Sequence, residues 1–181
     1  MLKIVKQQPD NFDLLIKNKK VWSDLKDKTI LNNSLSDEQE NMCVYCETKL
    51  NKYHIDHFYK RDLFPNKTFD YENLYLSCDN ENNCAKHKDK FGLQKYKFES
   101  MYNPINIKLE EFKYTSMGDI LGQSDVAIYT IKVFNLNSKK LVEQRKRIIS
   151  GIKDCGNLNI DLFEIFNEFK NLLIHIEEGR V

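Results

Sequence analysis

The sequence predicts a helix-rich α+β fold in which one small β-containing metal module is inserted between helical segments. Three observations carry that expectation. Four cysteines form two local pairs, Cys43-x2-Cys46 and Cys78-x5-Cys84, within a 42-residue window. Between the pairs lie short aromatic and β-branched runs separated by turn residues, as strands are. On both sides the apolar residues recur at helical spacing.

Taken in order, residues 10–29 set Phe12, Leu14, Leu15, Ile16, Val21, Trp22 and Leu25 at intervals that suit one or two short amphipathic helices. Asn32-Asn33-Ser34 breaks that pattern, and Ser36 with Gln39 predicts the capping box of a further short helix. Val44-Tyr45 and Tyr53-His54-Ile55-Asp56-His57-Phe58 read as short strands, with Leu74-Tyr75-Leu76 as another or as a connector. Past Cys84 the pattern turns helical, with Phe91, Leu93 and Phe98 as core contacts, and Gly92 speaks against a straight continuation. Asn103-Pro104 marks a break. Ile105–Leu109 alternates like a half-buried strand, continued by Phe112-Lys113-Tyr114 to a turn at Met117-Gly118-Asp119. Three helices are expected after it: Asp125–Phe134, Leu141–Ile149 capped by Ser138, and about Ile160 to Ile176. The chain thus divides into an N-terminal helical segment (1–42), the cysteine-clipped module (43–100) and a mainly helical region packed on it (101–181).

With 181 residues the chain is long enough for one core or a small module with a helical region against it. Hydrophobic residues at 41% and charged residues at 30% describe a soluble globular protein. No apolar run approaches the roughly 18–20 residues that span a bilayer, so no membrane partner is expected. Met1–Gln8 lacks the apolar centre of a secretory signal, which makes the cytoplasm the expected compartment. The net charge of +1 does not by itself mark a nucleic-acid binder. Lys86, Lys88, Lys90, Lys95 and Lys97 follow Cys84 as a local basic run, whose ordinary reading is a solvated helix face and whose position beside the module gives it further interest.

A structural zinc site takes four thiolate or imidazole ligands in a tetrahedron, commonly from two tight turns. Cys43-Val44-Tyr45-Cys46 has the common two-residue knuckle, while Cys78–Cys84 is a longer loop whose Asp and Asn residues tolerate tight turns. In a reducing compartment such pairs read as metal ligands before disulfides. Four thiolates leave no open position for substrate, so Zn2+ held by Cys43, Cys46, Cys78 and Cys84 has a structural role. It contributes to folding on the order of 10 kcal/mol. Cys155 stands far from this group in sequence.

Asp56-His57 offers a different chemistry. A carboxylate is a hard ligand for Mg2+ or Mn2+, and neutral histidine accepts a proton from water near neutral pH. Hydrolysis of a phosphodiester needs an activated water and a cation beside the phosphate. Adjacent residues of a strand point to opposite faces, so a bulge or turn is expected where both are to face one site. His54 and His175 read most simply as surface and structural histidines. Tyr53, Phe58, Tyr59 and Phe64 read as core before they read as base-stacking residues.

Taken together, Cys43-x2-Cys46, Ile55-Asp56-His57-Phe58, Asn73-Leu74-x3-Cys78 and Cys84 with its lysine run resemble a zinc-containing HNH endonuclease. That resemblance implies a ββα-metal module, with His57 as general base, Asp56 as ligand of a catalytic Mg2+ or Mn2+, and Asn73 bracing the loop that holds the base. More loosely, Ile4-x-Lys6-x2-Pro9 with Trp22, and Ala127-x3-Ile131-x4-Leu136-Asn137-x3-Leu141-x3-Arg145, resemble the HNH subunit of Septu-type and retron-associated antiphage systems. This wider resemblance implies DNA as substrate and a separate ABC/SMC-like ATPase as partner. The third motif position normally holds Asn or His directly after the second cysteine pair, and here Ala85 stands there. Two residues along a helix turn a side chain by about 200°, so His87 does not replace it in place. His87 is nevertheless the favoured second protein ligand of the catalytic ion, with Asn83 as the alternative. The competing readings are a zinc module that binds DNA or a protein without cutting, and a zinc-ribbon adaptor with no nucleic-acid role.

Overall fold

The computed structural model of the protein describes residues 1–155 and 162–181, the side chain of Cys155 excepted. The expected start of the last helix at Ile160, and the surroundings of Cys155, lie outside the described residues.

The N-terminal chain begins with α1 (Phe12–Ile16), a 3-10 turn at Trp22–Asp24 and α2 (Thr29–Glu38). α2 runs straight through Asn32-Asn33-Ser34. Leu31 and Leu35, one turn apart, bury their side chains, and this packing overrides the weak helix propensity of the polar triplet. The Ser36–Gln39 stretch therefore ends a helix and does not cap the start of one. Gln39 is spent elsewhere: its amide donates to the carbonyls of Met42 and Leu76 at 2.9 Å and accepts from the Leu76 N–H at 2.8 Å.

The strands β1 (Tyr53–His57) and β2 (Leu74–Cys78) pair antiparallel, with Tyr53 opposite Cys78 and His57 opposite Leu74. Val44-Tyr45 forms the turn of the first cysteine pair and not a strand, because the chain must fold back there to bring Cys46 beside Cys43. α3 (Cys84–Lys90) follows, and the chain leaves it at Gly92, whose φ of +71° suits a residue without a Cβ. A second antiparallel pair, β3 (Phe112–Tyr114) and β4 (Ile120–Gly122), is joined by a turn at Gly118. Ile105–Leu109, expected to be a strand, forms turns instead. Ile107 alone is buried in that stretch, and among the described residues no strand pairs with it.

α4 (Asp125–Val133) is capped by the Ser124 hydroxyl, which accepts from the Ala127 N–H. Its buried face carries Ala127, Thr130 and Val133, whereas Ile128 is 54% exposed. α5 (Lys139–Cys155) is followed by α6 (Leu162–Phe166) and α7 (Lys170–Glu177). The described part of the last helix is thus split. Asn167 and Phe169 take left-handed conformations there, and the Phe169 N–H is drawn to the carbonyl of Glu47 in the cysteine turn.

Two apolar clusters fill the interior. The larger joins the cysteines with Tyr45, Phe58, Phe98 and Phe134, and the smaller packs Phe12, Leu25, Leu31 and Leu35 on Tyr71, Leu74 and Leu76. The β1–β2 pair lies between them. Among the described residues no helix is long and apolar enough to cross a membrane.

Candidate metal and active site

The four cysteine sulfurs converge. One ligand atom from each of Cys43, Cys46, Cys78 and Cys84 lies within 4.8 Å of the others. Cys43 Sγ to Cys84 Sγ measures 3.7 Å, and Cys46 Sγ to Cys78 Sγ 3.8 Å. A disulfide requires about 2.05 Å. Four sulfurs at about 2.3 Å from one tetrahedral ion stand close to 3.8 Å apart, which is the spacing found. Burial alone would raise the Cys43 thiol, but hydrogen bonds from Cys46, Cys78 and Cys84 outweigh it and hold the group well below its usual range, while burial pushes Cys84 up. Four sulfurs at this spacing are a set that can hold a metal ion.

The surroundings orient this set. Asn83 donates to Cys84 Sγ at 3.0 Å and reaches Cys78 Sγ at 3.7 Å. It supports the sulfurs and does not line the cavity that Asp56 lines. Cys84 itself has φ of +59°, an uncommon conformation for a residue with a Cβ. Glu47, at φ +61°, binds the Met1 amino group and accepts from the Asn171 N–H at 2.8 Å. Burial would raise its carboxyl, but the N-terminal charge and Asn171 hold it low.

β1 runs from this cluster to His57. His57 Nε2 lies 3.0 Å from the carbonyl of Thr68, a partner that can only accept. The tautomer assigned by this contact carries its proton on Nε2 and leaves the Nδ1 lone pair open. Trp22 packs edge-on at 4.5 Å between ring centres. Burial depresses the pKa of His57 to about 4, against the opposing effect of the Thr68 carbonyl, so the ring is neutral through the physiological range.

Asn73, buried, spans the loop after β1. Its Oδ1 accepts from the Tyr59 N–H at 2.7 Å, and its Nδ2 donates to the carbonyls of Tyr59 at 3.0 Å and Lys67 at 2.9 Å. Thr68, which fixes the His57 ring, directly follows this anchored segment.

Asp56 faces α3 on the opposite side of β1 from His57, and no bulge interrupts the strand register. Lys88 Nζ, fully buried, donates to Asp56 Oδ1 at 2.8 Å and Oδ2 at 2.7 Å, and also to the carbonyl of His57 at 2.7 Å. The Tyr45 hydroxyl donates to Asp56 Oδ2 at 2.5 Å. Burial, and then the Asp56 charge, hold Tyr45 protonated. Both Asp56 and His57 nevertheless line one cavity of about 520 Å³, together with His54, Lys60, Arg61, Asp62 and Asp89.

His87 is not in that cavity. Its Nδ1 meets the carbonyl of Val133 at 2.8 Å, and it lines a separate depression with Asn80, Glu81 and Asn135. Asp89, two residues on, is the α3 residue that reaches the His57 cavity, and burial pushes its carboxyl up. The signal for it lay in helix geometry: Asp89 is four residues past Ala85 and so within about 40° of the same face. Lys88 was visible only as a member of the basic run. That run is largely spent internally, since Lys86 pairs with Asp79 and Glu81, and Lys90 with Glu81. Of the aromatic candidates, Phe58 is buried core, while Tyr59 and Phe64 pack on Phe98.

These features define an α+β protein with a cysteine cluster able to bind a metal ion and a neutral histidine at a cavity beside it. No family model matches the chain. It is similar to the Septu protein PtuB of Bacillus thuringiensis, 29% identical over 157 residues, an alignment covering 81% of this chain and 55% of that protein. The chain spans about half the length of this relative.

Proposed function

We propose that this chain is a metal-dependent HNH endonuclease, the DNA-cutting component of a Septu-type antiphage defence complex that also contains an ABC/SMC-like ATPase. The observation that carries this reading is His57: neutral, fixed by the Thr68 carbonyl and open at Nδ1 beside a cavity. The similarity to a Septu protein supports the biological setting.

The cysteine quartet suits Zn2+ in a structural role, because its sulfur spacings fit tetrahedral thiolate coordination. β1, β2 and α3 correspond to the ββα-metal module. A catalytic Mg2+ or Mn2+ would draw on Asp56 and Asp89, with Asp89 in the role expected of His87. Among the described residues neither belongs to a group of three histidine, cysteine or carboxylate ligands, and the Lys88 ammonium contacts both, 2.7 Å from Asp56 and 3.9 Å from Asp89. A hard cation that keeps several of its waters would bind there in place of that ammonium. The bound cation supplies charge stabilisation at the phosphate.

The protein's own groups do the rest. His57 Nδ1 takes a proton from water as the water oxygen attacks phosphorus. The P–O bond to the leaving oxygen then breaks, and that oxygen takes a proton from solvent. Lys88 holds the backbone carbonyl of the base and Asn73 the loop that follows it, and burial keeps the ring uncharged.

Incubating the purified chain, alone and with the co-expressed ATPase, with supercoiled plasmid tests this reading. Nicking or linearisation that needs Mg2+ or Mn2+ is expected, and Asp89→Asn should raise the cation concentration required. Cutting that persists in a chelator would overturn it.

One observation favours a second reading, a zinc module that binds DNA without cutting. Asp56 already accepts three hydrogen bonds from Lys88 and Tyr45. Stable DNA binding with no cleavage under any divalent ion would select that reading.

A further inference from the structure

The lysines near the site fall into two sets. Lys86, Lys88 and Lys90 are paired with Asp79, Glu81 and Asp56. Lys60, Arg61, Lys95 and Lys97 form no ion pair among the described residues. Lys60 and Arg61 line the His57 cavity. Lys95 Nζ sits 5.2 Å over the ring of Phe64, which packs at 5.0 Å on Tyr59, the neighbour of Lys60 in the chain. Lys97 Nζ sits 5.4 Å over the ring of Tyr96, itself 67% exposed. Lys60 thus leads through Tyr59 and Phe64 to Lys95, and Tyr96 and Lys97 are the next residues of the same 3-10 helix (Lys95–Ser100), which together make a basic and aromatic ridge beside the cavity.

We propose that this ridge is the track along which the phosphodiester backbone of DNA lies as it enters the cavity, with Lys95 and Lys97 as its phosphate contacts and Tyr96 as a stacking face. The proposal rests on the nuclease reading and adds where the substrate lies. Its physical basis is the contrast between the two sets. Lys86 and Lys90 share their ion pairs with Asp79 and Glu81, so that group brings no net charge to a phosphate, whereas an ammonium over a ring has no carboxylate to cancel it. In the cavity, Asp62 and Asp89 offset Lys60 and Arg61, so attraction for phosphate depends on Lys95 and Lys97. A chain of net charge +1 has no general excess to supply it.

Salt-dependent binding tests the track without reference to cleavage. Fluorescence anisotropy of a labelled short duplex, and of one of its strands, would be measured against the full chain carrying His57→Ala. Each phosphate contact contributes about 0.9 to the slope of log K against log salt on duplex and about 0.7 on single strands. Lys95→Ala/Lys97→Ala should lower that slope by about 1.8 or 1.4 respectively, with the far-UV circular dichroism spectrum unchanged. Lys86→Ala/Lys90→Ala should leave it unaltered. An unchanged slope in the first variant, an equal loss in the second, or no binding at low salt would each overturn the proposal. The slopes can shift as expected even if the wild type never cuts, in which case the nuclease reading fails and the track stands.

Discussion

Among the described residues two antiparallel strand pairs are fastened in different ways. The β1–β2 pair is held by polar side chains and by a cysteine cluster able to hold a metal ion. Cys78 ends β2 in the sulfur cluster, Asn73 binds the loop at the far end, and Lys88 holds the middle of β1 through Asp56. The β3–β4 pair, three residues to a strand, is held by close packing and by side-chain hydrogen bonds to its backbone. A Cβ on Gly122 would lie 2.5 Å from the backbone nitrogen of Ile128, so only glycine lets the strand lie flat on α4. Asn137 bonds both backbone groups of Ile120, and buried Arg145 donates to the carbonyls of Gly118 and Leu136. Two-stranded pairs of this size do not stand alone in water, so each fastening is obligatory. The first concentrates a histidine, an aspartate and their supports at one cavity, whereas the buried His175 beside the second meets the backbone carbonyls of Asn171 and Phe112. The contrast separates a site from its scaffold.

Removing one fastening at a time would test that contrast. Cys84→Ser should have the largest effect. Loss of a structural metal site costs on the order of 10 kcal/mol, comparable to the stability of a whole domain. The variant should lose its bound metal and its cooperative thermal transition, and a melt like that of the wild type would show that packing alone holds β1–β2. Arg145→Met should cost less, roughly 3 kcal/mol, by leaving buried carbonyls unpaired. Its metal content and its cleavage per folded molecule should match the wild type, while amide protection at Ile120 falls. Equal loss of protection at Ile55 would mean that the two pairs are one unit.

The polar fastening was the more legible in the sequence. Cysteine spacing pointed to the metal-binding cluster, and the Tyr53–His57 run with its flanking turns pointed to β1. What the sequence did not disclose was set by tertiary contacts. α2 continues through Asn32-Asn33-Ser34 because Leu31 and Leu35 find a core to fill. The described end of the chain breaks at Phe169 because Glu47 offers its N–H a partner far away in sequence. Lys88 and Asp89 lie side by side in a lysine-rich stretch, yet one is drawn into the interior and the other lines the cavity. Only the rotation of α3 about its axis separates these roles, and that rotation is fixed by Cys84 at its start.

The central claim is that His57 is the base of a DNA-cutting site built on the metal-clipped hairpin. Plasmid cleavage by His57→Ala tests it most directly, with zinc content and thermal unfolding measured on the same sample. The account predicts cleavage reduced by at least about 10²-fold, with the metal retained and the fold intact. Undiminished cleavage by that folded, metal-loaded variant would contradict it.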